Sequence, residues 1–366
     1  MALAVRITEV TVSPTTMPKV DRTWRFALAA TAETFGFVVR IDTDEGVTGI
    51  GYTTVAEHIG ADRVGVERGL RELGVTLVGH DPTNLVARLE ELSPLAGRNT
   101  HALAGLDLAL HDLAARALGI PLHRLLGGSV RDRVPLLRIL SIKAPAEMAA
   151  VAGGLADEGY RYLKIKVEGD AAADLARVRA IRERVGPAVH LTIDANQSYT
   201  ADGAIWAIVA MEPFGIDLVE QPVPADDLAG LARVSTAVET PVEADESART
   251  VGDVYRLVSE RIVDSVSLKL PKLGGIRAAQ AAAAICAAGG VRCRMGAAVG
   301  SRLLSAAALH FMAATPAVSY AAELAEFARL LDDPAVGLEV ERGELAVPTG
   351  IGVGVRLRDH AMEVRA

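Results

Sequence analysis

The segment Leu163-Lys164-Ile165-Lys166 puts two lysines on one face of an extended apolar stretch, because side chains alternate along a strand. Two ammonium groups held that close disfavour each other's charge, which lowers a lysine pKa toward the range of a general base. Downstream, Asp194, Glu220 and Asp245 each end a short apolar segment, with no His or Cys beside them. Three carboxylates form a hard, all-oxygen donor set that suits Mg²⁺, with Mn²⁺ as a substitute, and does not suit zinc. Adjacent strands lie about 4.8 Å apart, so carboxylates from three neighbouring strands can converge on one ion and leave room for water and substrate oxygens. Lys269 and Glu323 end two later segments. Together these groups fit removal or addition of a proton α to the carboxylate of a small molecule, a reaction whose enolate-like intermediate needs its oxygens stabilised. In that reading Mg²⁺ and Lys164 stabilise the oxygens, and Lys166 or Lys269 carries the proton. Glu323 positions Lys269 or the substrate, or serves as a plain ion-pair partner.

The elements that must position these groups are visible in their spacing. Lys166, Asp194, Glu220, Asp245, Lys269, Met295 and Glu323 follow one another at intervals of 24 to 28 residues. About 25 residues make one strand, one loop and one helix, and seven or eight such units close a (β/α) barrel whose site lies at the carboxyl ends of its strands. Short apolar strands are expected over residues 161–167, 189–194, 217–220, 242–245, 266–270, 291–295 and 318–324, separated by Ala-rich amphipathic helices. Residues 1–132 read differently: strands over 5–12, 35–42 and 47–52, then helices up to Gly127-Gly128, which is an α+β unit. The expected division is 1–132, the barrel over 133–330, and a glycine-rich tail over 331–366 that packs back on the first unit. Within that tail, Gly350 to Gly354 reads as a turn and not a phosphate loop, because it neither follows a barrel strand nor opens a helix.

The 366 residues are half apolar and 23 % charged, enough for a large buried core, and the formal net charge of −8 with no basic run excludes nucleic acid as a partner. No stretch is long and apolar enough to span a membrane, and the first residues lack the pattern of an export signal. Cys286 and Cys293 read as buried reduced thiols, which places the chain in a reducing cytoplasm. His58, His101, His111 and His310 show no ligand spacing and read as surface or packing residues. Lys19, Arg22, Trp24 and Arg25 form a cationic, aromatic loop able to close over an anionic substrate. Trp24 and Arg22, with Asn196 and Met295 at strand ends, are the candidate substrate contacts.

At these positions the chain resembles the muconate lactonising (muconate cycloisomerase) subgroup of the enolase superfamily, within the mandelate racemase/muconate lactonizing enzyme family. The resemblance rests on the Lys-x-Lys strand, Ile193-Asp194-Ala195-Asn196, Val219-Glu220-Gln221-Pro222, Ala244-Asp245-Glu246-Ser247 and Leu268-Lys269 followed by Gly274-Gly275-Ile276, and it runs nearly end to end. It implies a modified (β/α)₇β TIM-like barrel, a capping domain built from both chain ends, and a homo-oligomer, an octamer or a dimer. Lys269 and Met295 stand where mandelate racemase-like enzymes carry a His-Asp dyad. The last strand, Tyr320-Ala321-Ala322-Glu323-Leu324, lacks the Asp-x-Asp pair of dipeptide epimerases. Glu323 and the segment Glu344 to Gly350 look most like cycloisomerases, so reversible lactonisation of an unsaturated dicarboxylate is the first expectation, although the loop over residues 15–25 departs from the muconate pattern. Racemisation or epimerisation of an amino-acid derivative such as an N-acyl amino acid is the alternative, with syn elimination of water a third. A non-catalytic metal- or metabolite-binding protein on the same fold is the alternative from another class.

Overall fold

A computed structural model of the chain describes residues 5–359; the outermost residues of the first and last expected segments, 1–4 and 360–366, lie outside that range. The amino-terminal unit is a meander of β1 (Ile7–Pro18), β2 (Glu33–Thr43) and β3 (Thr48–Thr54), antiparallel in that order, followed by α1 (Arg63–Leu77), α2 (Leu85–Ala96) and α3 (Thr100–Ala117). Thr43 and Gly46 close the β2–β3 turn, where φ of +72° at Gly46 requires a residue without a Cβ. Helix α3 lies directly on β3: a Cβ on Gly51 would stand 2.5 Å from the Gly105 carbonyl oxygen, so glycine is what lets the two backbones meet. A two-residue hairpin, Arg25–Phe26 with Ala29–Ala30, interrupts the passage from β1 to β2 and was not foreseen.

The remaining chain alternates strand and helix: β4 (Leu137–Leu140), α4 (Pro145–Asp157), β5 (Tyr162–Lys166), α5 (Ala171–Val185), β6 (His190–Asp194), α6 (Ala201–Met211), β7 (Ile216–Glu220), α7 (Leu228–Ala237), β8 (Val242–Ala244), α8 (Val251–Ser259), β9 (Ser265–Leu268), α9 (Ile276–Gly289), β10 (Arg292–Met295) and α10 (Arg302–Ala314). The seven strands form one parallel sheet in sequential order. Its ends are joined by residues 318–323, which bridge Cys293 at Val318 and Leu136 at Ala322, so this segment acts as an eighth strand and closes the barrel. The Leu137–Leu140 strand is the one barrel strand absent from the sequence reading.

Side-chain caps mark the helix starts. Asp170, Thr200, Asp227 and Ser301 each accept a backbone N–H in the first turn of α5, α6, α7 and α10, and Thr250 and Asp253 complete a reciprocal capping box on α8. The tail is more regular than expected: Glu344–Ala346 pairs with Arg133–Pro135, and Ala335–Val336 with Arg356–Leu357. Gly350 to Gly354 is a turn against the first unit, where Val353 N donates to Asp112 Oδ1 at 2.8 Å and Gly352 N to the Ile120 carbonyl at 3.0 Å. Among the described residues no helix is long and apolar enough to cross a membrane.

Candidate active site

The register of the parallel sheet brings the acidic strand ends together. Lys166 stands opposite Asp194, and Asp194 opposite Glu220. Glu220 is level with Glu243, so Asp245 lies one pleat higher, toward the barrel mouth. Lys164 Nζ lies 3.0 Å from Asp194, 2.9 Å from Glu220 and 2.7 Å from Glu323. Lys166 Nζ donates to Asp194 Oδ2 at 2.5 Å and to Asn196 Oδ1 at 2.7 Å. Lys269 donates to Asp245 Oδ2 at 2.5 Å, and Lys272 donates to Asp245 Oδ1 and to its carbonyl, both at 2.7 Å. Lys164, Lys166, Asn196, Lys269, Lys272 and Glu323 line one cavity of about 420 Å³, roofed from the amino-terminal unit by Trp24, Phe26 and Phe35.

Lys166 ends the second strand of an eight-strand ring and Lys269 follows the sixth. Four strands apart in a ring of eight is diametrically opposite, so the two ammonium groups face each other across the cavity. The loops that carry the site are strained. Asn196, Gln197 and Gln221 all have positive φ, at 41°, 72° and 37°. The reward is position: Asn196 bridges Lys166 and Glu246, while Gln221 Oε1 accepts from the Asp245 and Ser247 amides at 2.9 and 3.1 Å and so fixes the backbone that presents Asp245.

Burial, the largest influence on Lys164, disfavours its ammonium, but Asp194, Glu220 and Glu323 together outweigh it and hold the group well above the ordinary lysine range. The lowering expected from Lys166 is therefore not what Lys164 experiences. Lys269 is likewise raised: burial opposes its charge, and Asp245 with Glu220 outweighs burial. Burial pushes the carboxyls up, yet Lys164 and Lys166 hold Asp194 below its usual range, and Lys269 and Lys272 hold Asp245 well below it. Glu220 stays raised, by burial and the neighbouring Asp194 charge.

Several candidates fall elsewhere. Met295 does not face the cavity: it is 1 % exposed and packs into the apolar layer between barrel and helices, because Arg294, its neighbour in the pleat, takes the inward position. Arg22 is exposed and lines neither cavity near the loop, whereas Trp24 lines both. Glu323 touches Lys164 and Arg294, at 2.7 and 3.0 Å, and not Lys269. His58 and His101, read as surface or packing residues, line the cavity, with His101 Nδ1 2.7 Å from the Thr54 carbonyl oxygen.

Four residues escaped the sequence reading. Glu243 and Arg294 form a buried floor in which Arg294 pairs with Glu243, Glu220 and Glu323. Lys272 holds Asp245, and Glu246 holds Asn196. Period-two alternation would have found the first pair, since Glu243 precedes Asp245 by two, and Arg294 stands two after the exposed Arg292 that opens the same strand and one before Met295.

Among the described residues no three His, Cys, Asp or Glu side chains are already gathered as a metal cage; the oxygens of Asp194 and Asp245 are turned onto lysines. The donor chemistry nonetheless fits a hard divalent cation. Glu220 Oε1 is buried with no hydrogen-bond partner, and its two flanking acids are held ionised.

The family described as mandelate racemase / muconate lactonizing enzyme, N-terminal domain, matches residues 7–127, and the enolase C-terminal domain-like family matches residues 147–361. The L-Ala-D/L-Glu epimerase of Bacillus subtilis (strain 168) is 39 % identical over 281 residues, covering 75 % of this chain and 76 % of its own. The dipeptide epimerase of Enterococcus faecalis V583, solved with Mg and the dipeptide L-Leu-L-Tyr, superposes with a TM-score of 0.92 at 33 % identity over 96 % of this chain and 99 % of that one. Muconate lactonizing enzyme from Pseudomonas fluorescens, solved with muconolactone, superposes with a TM-score of 0.94 at 28 % identity over 98 % of each chain. With its barrel, its capping unit and its opposed lysines, the chain belongs to the mandelate racemase/muconate lactonizing enzyme family of the enolase superfamily and is one of its isomerases.

Proposed function

We propose that the chain is a racemase or epimerase that inverts the α-carbon of an N-acylated amino acid, dipeptides included. The observation that carries this reading is the opposition of Lys166 and Lys269 across one cavity. Inversion needs one group on each face of the α-carbon, and these two lysines are the pair so placed. The C–H bond breaks toward one amine, and the proton returns to the opposite face from the other ammonium. Lys164 donates to the substrate carboxylate and offsets its growing charge. Asp194, Glu220 and Asp245 would hold Mg²⁺, which supplies a double positive charge beside that carboxylate. The epimerase and racemase activities of relatives support the same reading, which also takes the chain to be a homo-oligomer of a reducing cytoplasm.

Glu323, with the segment Glu344 to Gly350, was the reason to expect lactonisation first. Its carboxylate is occupied by Lys164 and Arg294, an electrostatic role that serves either reaction, and the two-sided lysine pair supports inversion.

The test is proton NMR in D₂O with Mg²⁺, on N-acyl amino acids and dipeptides, with muconates in a parallel sample. The wild type is expected to exchange the α-proton and invert the centre. Lys166→Ala and Lys269→Ala should each lower inversion by about 10²–10⁴-fold while leaving exchange from one enantiomer. Undiminished inversion in Lys269→Ala, or turnover of muconates alone, would overturn the proposal.

A further inference from the structure

Two strands separate Arg294 from Glu220, yet the two side chains meet inside the barrel. Arg294 is on β10 and Glu220 on β7, with β8 and β9 between them. On β9 the residues that face this space are Ser265 and Ser267, both fully buried, and Ser267 is the one beside Arg294 in the sheet. Two serines are small enough to leave the interior open, and the guanidinium fills it. Its Nε donates to Glu243 Oε1 at 3.0 Å, and Nη2 donates to the same oxygen and to Glu220 Oε2. Nη1 lies 3.0 Å from Glu323 Oε1. Ser265 Oγ donates to the second oxygen of Glu243 at 2.9 Å, so the carboxylate that clamps Arg294 is itself held.

A buried ion pair is a costly way to fill a barrel, because apolar side chains of similar volume pack as stably or better. What apolar side chains lack is the means to tell the two oxygens of a carboxylate apart. Glu220 Oε2 receives Arg294 and also Lys164 Nζ, the latter at 2.9 Å, whereas Oε1 is buried with no hydrogen-bond partner. The last torsion of a glutamate side chain is soft, and turning about it would exchange the two oxygens. A planar guanidinium fixed on Glu243 opposes that turn with a charge-assisted bond of set direction.

We propose that Arg294 and Glu243 are positioning residues of the metal site, which occupy one oxygen of Glu220 and so present the other, Oε1, to Mg²⁺. This rests on the assignment above of Asp194, Glu220 and Asp245 as the Mg²⁺ ligands. Neither residue is a ligand itself: Arg294 is a cation, and the oxygens of Glu243 are taken by Arg294 and Ser265.

Arg294→Met alone would strand Glu243 and change the charge beside the ion, so the test removes the pair. Arg294→Met combined with Glu243→Met leaves the net charge as it was and exchanges a buried pair for apolar groups. The full chain carrying both substitutions is expected to melt at or above the wild-type temperature, yet to bind Mg²⁺ about 10–100-fold more weakly in calorimetry without substrate. Arg294→Lys keeps the charge and the filled floor but not the fork, and should weaken Mg²⁺ in the same direction. A role in packing alone would move the melting temperature and not the Mg²⁺ affinity. Wild-type affinity in the double variant, or in Arg294→Lys should the double variant fail to fold, would overturn the proposal and leave the metal ligands standing. A wild type that takes up no Mg²⁺ would overturn the ligand assignment and the proposal together.

Discussion

Lys164 and Lys166 stand two positions apart on one strand yet meet different neighbours. Lys164 is 1 % exposed and carries the countercharge for Asp194, Glu220 and Glu323, whereas Lys166 is 8 % exposed, donates to Asp194 and Asn196, and has the Phe26 ring 5.4 Å away on the cavity side. Removing one partner of a buried ionic cluster leaves the others unpaired, at a cost of about 3–5 kcal/mol. Lys164→Met should therefore lower the unfolding free energy by about that much, whereas Lys166→Met should change it by about 1 kcal/mol or less while stopping inversion and leaving α-exchange from one enantiomer; denaturant melts of both variants measure the difference in stability. The acids and lysines were legible because a charge at the end of an apolar strand needs a reason. Arg294 was not, because an interval of 26 residues between strand ends locates a neighbourhood without saying which of two adjacent side chains points inward, and Met295 took its place in the reading.

At the scale of elements, the strands determine which residues converge and the loops after them determine how. Gln221 is the clearest case: its backbone has φ of 37°, and its side-chain oxygen accepts from two amides of the loop that follows β8. Loss of that support should loosen Asp245. Groups that orient ligand side chains typically contribute about 10–100-fold to metal affinity, so Gln221→Ala should weaken Mg²⁺ binding by a factor in that range in calorimetry, with the circular dichroism spectrum unchanged. The alternation of strand and helix was legible from seven of the eight barrel strands, Leu137–Leu140 being the exception, because each has its own apolar run. The closing segment was placed correctly at 318–324, but it pairs through isolated bridges, and the Arg25–Ala30 hairpin is held by one two-residue ladder. The hairpin is too short to leave a periodic signal.

At the scale of the whole molecule, the two units are joined by buried polar groups. Asp107 on α3 accepts from Ile276 N at 2.7 Å and so caps α9 of the barrel; a Cβ on Gly275 would collide with Asp107 Cγ at 2.2 Å. Asp112 accepts from Ile50 N in β3 and Val353 N in the tail, both at 2.8 Å. His310, on α10, is stacked on His123 with ring centres 5.2 Å apart, and burial, reinforced by that neighbour, lowers it to about 4. Its neutral form is favoured by the fold, so the unfolded chain binds the extra proton: the contribution is full above pH 6.5 and is lost as pH falls toward 4, up to about 3 kcal/mol. His310→Phe should flatten the dependence of the melting temperature on pH across that window while leaving it unchanged at pH 8. None of these joints was legible, because each pairs residues more than 60 positions apart with no local pattern.

The barrel resembles a cask whose last stave is held to each neighbour by two backbone hydrogen bonds. Residues 318–323 are joined to their neighbours by isolated bridges, and Glu323, at the end of that stave, is one of three counterweights to Lys164. Local opening draws first on the segments with the fewest backbone bonds. Fraying of this seam would set Glu323 adrift and leave Lys164 with two of its three carboxylates.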